Sequence, residues 1–342
     1  MFSYSPYSEI KELSQSELRK QYDDLLEYGA SHPEELEQNL AKLRDLITCY
    51  GLPSESEDDE YNVDEQATLR GKIWQLFLGL KQIYAEEYLS LVKLGPSSAH
   101  SIISLDATRT FPKEKTFRKR VTLEKLIRVL NAFQHKVEDR ESLGYIQGLN
   151  CLVAPFLYNM PEIEAFYTFY HFIVDRCPRY CGNQMGALDG DSLVQQILKL
   201  VDPKLFSYLE KNSVQLCVFS HPALQSILTN TPPLEEVLKL WDWLFMYGVH
   251  MAVIFLVCIL LVRREEILVA ENPNSRYFQY HNKFSLDAEL ITNLAIQVVA
   301  QIPSDLYKLC AIHPLVPLNG NREGHDFTQS KGLKLVVKGT PD

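Results

Sequence analysis

Along most of this chain, apolar residues recur at helical rather than strand spacing. Leu36, Leu40, Leu43 and Ile47 mark an amphipathic helix over residues 34–50, with Pro33 suited to its start and Gly51 to its end. Comparable spacing appears at 72–94, 121–137, 149–158, 162–176, 192–200, 204–211, 234–247 and 249–268. Gly95-Pro96, Pro112, Pro161, Pro178, Pro203, Pro222 and Pro232-Pro233 punctuate these stretches. Strand signals are scarce, and neither βαβ alternation nor a fixed-period repeat is present. The pattern predicts an all-α protein with one large multi-helix domain.

Three parts are expected: a helical N-terminal flank over 1–64, a central domain over 65–318, and a polar tail over 319–342. The flank ends in an acidic loop, 54–65, which holds seven acidic residues and almost nothing apolar. Its composition predicts a solvated linker. In the tail only Leu333 to Val337 departs from a polar character.

One stretch approaches the length of a membrane span. From Leu244 to Val262 the only ionisable side chain that could carry charge near neutrality is His250. Gly248 and His250 interrupt the run, however, and the strongly apolar part covers only 249–262. A span needs about 20 apolar residues, so a buried core helix is predicted here and no membrane span. Arg263-Arg264-Glu265-Glu266 marks the return to solvent.

Composition narrows the function classes. Hydrophobic residues make up 46% of the 342-residue chain, enough for a sizeable core. A net charge of −10 argues against a general nucleic-acid binder. Seven scattered cysteines with no CxxC pair fit a reducing, cytoplasmic setting. Cys177 and Cys181, with His171 nearby, are too few and too poorly spaced to suggest a metal site. The start, MFSYSPYSEIKEL, has no basic region followed by an apolar run, so no secretory leader is expected. The chain also lacks a GxxxxGK[ST] loop, a GxSxG elbow and an HExxH pair, which argues against a nucleotide hydrolase, a serine hydrolase or a zinc protease.

Candidate chemistry lies in three short stretches: Arg70-Gly-Lys-Ile-Trp74, Ile103 to Pro112, and Gly144-Tyr-Ile-Gln147-Gly-Leu-Asn150. Ile103, Asp106 and Arg109 follow each other at intervals of three, so they can share a helix face, and Asp106 can pair with Arg109. Pro112 disfavours the helical conformation at Phe111, which places the helix end near Arg109 or Thr110. An arginine there is free to reach a partner, or it simply complements the helix dipole. Gln147, between Gly144 and Gly148 and just ahead of an apolar helix, is either presented near a helix start or is an ordinary loop residue.

Together these motifs, IxxDxxR, then YxQG some forty residues later, with RxxxW upstream, resemble the signature of the TBC (Rab-GAP) domain family. Leu240-Trp-Asp-Trp-Leu-Phe245 with Gly248 resembles the family's late WDW-type motif, and the likeness covers about residues 65–310. Ile146 departs from the pattern, where many members carry cysteine. Stretches 88–98, 148–158, 202–204 and 239–251 are similar to the family's small fungal checkpoint members, which act in mitotic exit and septation.

The resemblance implies a GTPase-activating protein that donates an arginine finger, Arg109, and a glutamine finger, Gln147, to a small Ras-superfamily GTPase. Asp106 would orient Arg109, Tyr145 would shape the glutamine loop, and Arg70 and Trp74 would be buried framework or part of the site. No cofactor is implied, because GTP and Mg²⁺ belong to the partner. The subfamily implies a separate scaffold subunit and the spindle pole body as location. A non-catalytic TBC scaffold that binds a GTPase without accelerating hydrolysis is the alternative. The basic stretch Lys113 to Arg128 either steers an acidic partner surface or is a solvated helix face.

Overall fold

The computed structural model describes residues 13–53, 63–140, 143–181, 184–270 and 285–318. Most of the acidic loop and the whole tail over 319–342 therefore lie outside the described residues. Among the described residues every regular element is helical.

The N-terminal flank folds as a helix pair, α1 (Gln15–Ser31) and α2 (Leu36–Tyr50). Ser14 caps α1 through a reciprocal capping box with Glu17. The predicted helix over 34–50 is thus α2, while α1 leaves little apolar periodicity in the sequence, since it buries only Leu18, Tyr22 and Gly29. The pair is not isolated: Arg44 of α2 donates from Nε to the Met246 carbonyl at 3.2 Å and lies over the Phe77 ring at 5.3 Å.

The central region runs α3 (Leu69–Leu78), α4 (Ala85–Lys93), α5 (His100–Thr108), α6 (Lys115–Arg120), α7 (Leu123–Val137), α8 (Leu149–Asn159) and α9 (Glu162–His171). It continues through α10 (Met185–Val201), α11 (Pro203–Lys211), α12 (Cys217–Gln225), α13 (Leu234–Tyr247), α14 (Met251–Val262), α15 (Arg264–Leu268), α16 (Ala288–Val299) and α17 (Ser304–Ile312). The stretch 72–94 is two helices rather than one, because Gly79 adopts a left-handed conformation (φ 75°) and closes α3. The stretch 249–268 breaks at Arg263 (φ −89°, ψ 7°) into α14 and α15. The helical stretch 162–176 ends as a single π-turn over Phe172–Arg176.

Two helices form the interior. α8 buries every residue but Cys151, and packs on α7 and α9. α14 is apolar on all sides, buried from Met251 to Leu260, and surrounded by α10, α12, α13 and α16. At 12 residues it would span roughly 18 Å, well short of a bilayer core. No helix among the described residues is long and apolar enough to cross a membrane. An aromatic cluster of Trp74, Phe156, Phe172, Trp241 and Phe245 joins α3, α8 and α13, with Trp74 stacked on Phe245 at 4.8 Å. This cluster fixes the far end of α8, and so the direction in which its N-terminus points.

Candidate functional site

The N-terminus of α8 and the C-terminus of α5 meet on α7, and the residues singled out in the two later motifs converge there. α5 stops at Thr108, leaving Arg109 as its C-cap, which matches the end expected from Pro112. Phe111 then turns the chain with a left-handed φ of 43° while packing edge-on to Phe117 at 5.2 Å. For a bulky aromatic residue this conformation stores about 1–3 kcal/mol, held by the surrounding packing.

Ile103 and Asp106 face inward, at 0% and 2% exposure, whereas the Arg109 side chain is 53% exposed. Asp106 Oδ1 accepts from the Arg109 guanidinium at 2.5 Å, and Oδ2 accepts from the Tyr145 hydroxyl at 2.8 Å. A buried carboxylate thus anchors a projecting guanidinium. Burial, then the hydrogen bond to Asp106, raises the Tyr145 phenol further above its usual range, so Tyr145 remains a donor at any ordinary pH.

Gln147 is exposed and stands one residue ahead of Gly148, the N-cap of α8. Gly148 has φ 107°, a region closed to side-chain-bearing residues in practice, and a Cβ there would meet nothing within 4 Å. The requirement for glycine is therefore conformational, not one of space. Gly144, by contrast, has no left-handed backbone, and a Cβ would touch only Gln134 at 3.6 Å. Nothing in this geometry requires glycine at 144. The loop is instead held by Gln134, whose Oε1 accepts from the Tyr145 backbone N–H at 2.6 Å.

Arg70 and Trp74 do not join this cluster. Arg70 Nε donates to Asp242 Oδ1 at 3.0 Å, and Trp74 Nε1 donates to the same oxygen at 2.8 Å. Burial opposes charge on Arg70, but the Asp242 carboxylate outweighs it and holds the guanidinium above its usual range. The pair ties α3 to α13, and that tie also explains the Asp in the Trp241-Asp242-Trp243 motif.

Asn150 and Thr110 belong to the site and were given no role from sequence. Both are buried, at 6% and 4% exposure, and hydrogen-bonded between the two loops. The signal available was a polar residue standing in an otherwise apolar helical run, Leu149 to Leu157. The surroundings are mixed. Ile102 and Leu105, on the α5 face that ends at Arg109, are 55% and 59% exposed. Lys113, Lys115, Arg118 and Lys119 are exposed and make no ion pair among the described residues. The rest of that basic stretch is engaged: Arg120 lies over Tyr158, Lys125 pairs with Asp64, and Arg128 pairs with Glu162.

The arrangement offers an anchored cation and an exposed carboxamide, with no metal-binding cluster among the described residues. It can stabilise or orient groups of another molecule. A model of the Rab-GTPase-TBC domain matches residues 67–268. The chain is 38% identical, over 317 residues, to a Dictyostelium discoideum protein bearing the name mitotic check point protein BUB2, covering 91% of this chain and 85% of that protein. It is 32% identical to the mitotic check point protein BUB2 of Saccharomyces cerevisiae, covering 81% of this chain and 92% of that protein. Among solved structures, the Ypt/Rab-GAP domain of Gyp1p superposes with a TM-score of 0.64 at 16% identity, over 84% of this chain and 99% of that one, which speaks for the fold. With the domain model spanning more than half its length and similar proteins aligned over most of it, this chain belongs to the Rab-GTPase-TBC domain family.

Proposed function

We propose that this chain accelerates GTP hydrolysis by a small Ras-superfamily GTPase, donating Arg109 and Gln147 in trans. Hydrolysis spreads negative charge over the transferring phosphoryl oxygens, and a guanidinium inserted from a partner is worth roughly 10³–10⁵ in rate. Arg109 neutralises that charge, and Gln147 orients the attacking water. Asp106 holds the guanidinium, and Tyr145 braces Asp106 against the glutamine loop. GTP and Mg²⁺ come with the GTPase, and the chain itself uses no cofactor. The observation that carries this reading is the contrast within one ion pair: Asp106 is buried while Arg109 projects half-exposed from it, beside the Gln147 loop. The exposed Ile102 and Leu105 and the basic run 113–119 give the same face the mixed character suited to a protein partner.

The relatives named as mitotic check point proteins support a finer statement. The partner is the GTPase that drives mitotic exit or septation, and this chain is the catalytic subunit of a bipartite activator whose scaffold subunit holds it at the spindle pole body in the cytoplasm.

Single-turnover hydrolysis by candidate GTPases loaded with GTP, with and without this chain and the scaffold subunit, tests the reading. Acceleration is expected with wild type and lost by about 10³-fold or more with Arg109→Ala. Full activity in Arg109→Ala overturns the finger assignment. Binding without acceleration by wild type, scaffold included, makes the chain a non-catalytic TBC scaffold.

A further inference from the structure

Asn150 sits on the first turn of α8, three residues after Gln147, and uses both ends of its carboxamide. Its Nδ2 donates to the Asp106 backbone carbonyl at 3.2 Å and to Thr110 Oγ1 at 2.9 Å. Its Oδ1 accepts from the Gly148 backbone N–H at 3.2 Å. Thr110 Oγ1 in turn donates to the same Asp106 carbonyl at 3.1 Å. Asp106 and Thr110 bracket Arg109, and Gly148 directly follows Gln147. One buried side chain therefore grips both flanks of the arginine turn and the backbone next to the glutamine.

The orientation of this amide is fixed by its partners. Turned over, Oδ1 would face a carbonyl and a hydroxyl whose proton is already committed, and Nδ2 would face an N–H. Only the observed orientation satisfies all groups, and a buried amide left unsatisfied is costly. Aspartate has the same shape but cannot donate, so no other residue type of this size fits both sides.

We infer that Asn150 is a positioning residue that sets the separation and mutual orientation of Arg109 and Gln147. The inference rests on the two-finger reading above. The side-chain link from Tyr145 to Asp106 anchors the guanidinium, whereas Asn150 acts on the backbones from which both fingers spring. It makes them one preorganised unit rather than two loops that must be ordered separately on the partner. A displacement of about 1 Å between reacting groups can cost on the order of 100-fold in rate, so losing this tie acts on turnover rather than on docking.

The test uses the full chain with its scaffold subunit and the GTPase that wild type activates in the single-turnover assay above. Asn150→Asp keeps the acceptor for Gly148 and removes the donor toward Asp106 and Thr110; Thr110→Val removes one acceptor with little change of shape; Thr110→Ser restores it. For Asn150→Asp, kcat per folded molecule is expected to fall by about 10–100-fold with KM within about twofold. Affinity for the GDP–aluminium fluoride form of the GTPase falls in parallel, while binding of the form loaded with a non-hydrolysable GTP analogue stays level. Thr110→Val follows in the same direction, and Thr110→Ser stays close to wild type. A purely structural role would lower the folded fraction and the melting temperature without changing kcat per folded molecule, and that result overturns the inference. So does a loss confined to KM. Should Asn150→Asp fail to fold, the Thr110 pair decides. Arg109→Ala is run alongside: if it is inactive and the folded Asn150 and Thr110 variants are not impaired, only this inference falls. Full activity of Arg109→Ala removes the two-finger reading itself.

Discussion

Replacing Asp106 by asparagine keeps the shape at the base of the arginine and removes the charge that holds it. The carboxylate accepts from Arg109 on one oxygen and from Tyr145 on the other. An asparagine has one acceptor oxygen, so its amide must face one of the two. The guanidinium has no acceptor, but the Tyr145 hydroxyl can turn and accept, which leaves the remaining carbonyl for Arg109. What is lost is the attraction between two full charges, leaving a bond from an ionised donor to a neutral oxygen. With Arg109 53% exposed, the stability share of the ion pair is about 0–1 kcal/mol, since solvent screens it. Reorganising the buried Tyr145 bond adds about 1 kcal/mol. A total near 1–2 kcal/mol leaves a domain of typical stability, about 5–15 kcal/mol, folded. Turnover should suffer more, because the guanidinium is no longer held in one orientation. A fall in kcat of about 10–100-fold is expected, short of the full loss in Arg109→Ala. Single-turnover hydrolysis, normalised to the folded fraction from a thermal melt, measures it. Activity within about twofold of wild type would mean that Asp106 does not hold Arg109 in the working state.

Three further outcomes are expected. In the two-finger mechanism, Gln147→Ala abolishes most of the acceleration, while replacing the GTPase's own catalytic glutamine leaves most of it; collapse of the stimulated rate in that GTPase variant, with scaffold present, would return water placement to the GTPase. Charge reversal at Lys115, Arg118 and Lys119 should raise KM and flatten its salt dependence with kcat unchanged; a KM that does not move would make the run a merely solvated face. Stability should fall on mild acidification. Burial, then the charge of His313, lowers His250 to about 3, and burial, then Arg179, lowers His313 to about 4. Both lie below the unfolded value, so their neutral forms favour the fold fully above about pH 6.5, and that contribution drains as pH falls toward 4. At pH 5 the two together cost about 4 kcal/mol, and unfolding free energies from urea titrations at pH 7 and pH 5 that differ by less than about 1 kcal/mol count against it.

The local chemistry of the site could be read before the fold was known. The three-residue interval between Asp106 and Arg109, and the stop imposed by Pro112, depend only on helix geometry, and both appear in the structure. The same holds for Gln147 ahead of α8. What could not be read was tertiary. Gln134 reaches the glutamine loop from α7, Gln225 of α12 lies 3.4 Å from the Gln147 carbonyl, and Asn150 spans two loops about forty residues apart in sequence. None of these contacts leaves a periodic trace. For Arg70 and Trp74 the sequence leaves buried framework and site membership equally open. Their shared partner, Asp242, lies about 170 residues onward, and only the folded chain shows that it belongs to the framework. α16 lies outside the stretches predicted from sequence, although Ile291, Ala295 and Val298 carry helical spacing.

The two projecting side chains are prepared unequally, and this has a physical reason. Arginine carries about 2 kcal/mol of rotamer entropy, which a flexible finger would surrender on meeting its partner. Asp106 removes part of that cost beforehand, because its buried carboxylate already selects where the guanidinium lies. The Gln147 side chain has no such anchor: only its backbone carbonyl is contacted, by Gln225, while the carboxamide makes no hydrogen bond among the described residues. A carboxamide that orients the attacking water, as proposed, has nothing to gain from a competing bond in the free protein. Its backbone, by contrast, has to be fixed, and Gly148 and Asn150 fix it. In the proposed mechanism the arginine is therefore set by the activator and the glutamine head by the partner. Loss of Arg109 should weaken the transition-state complex outright, whereas loss of Gln147 should leave that complex partly intact and remove the water.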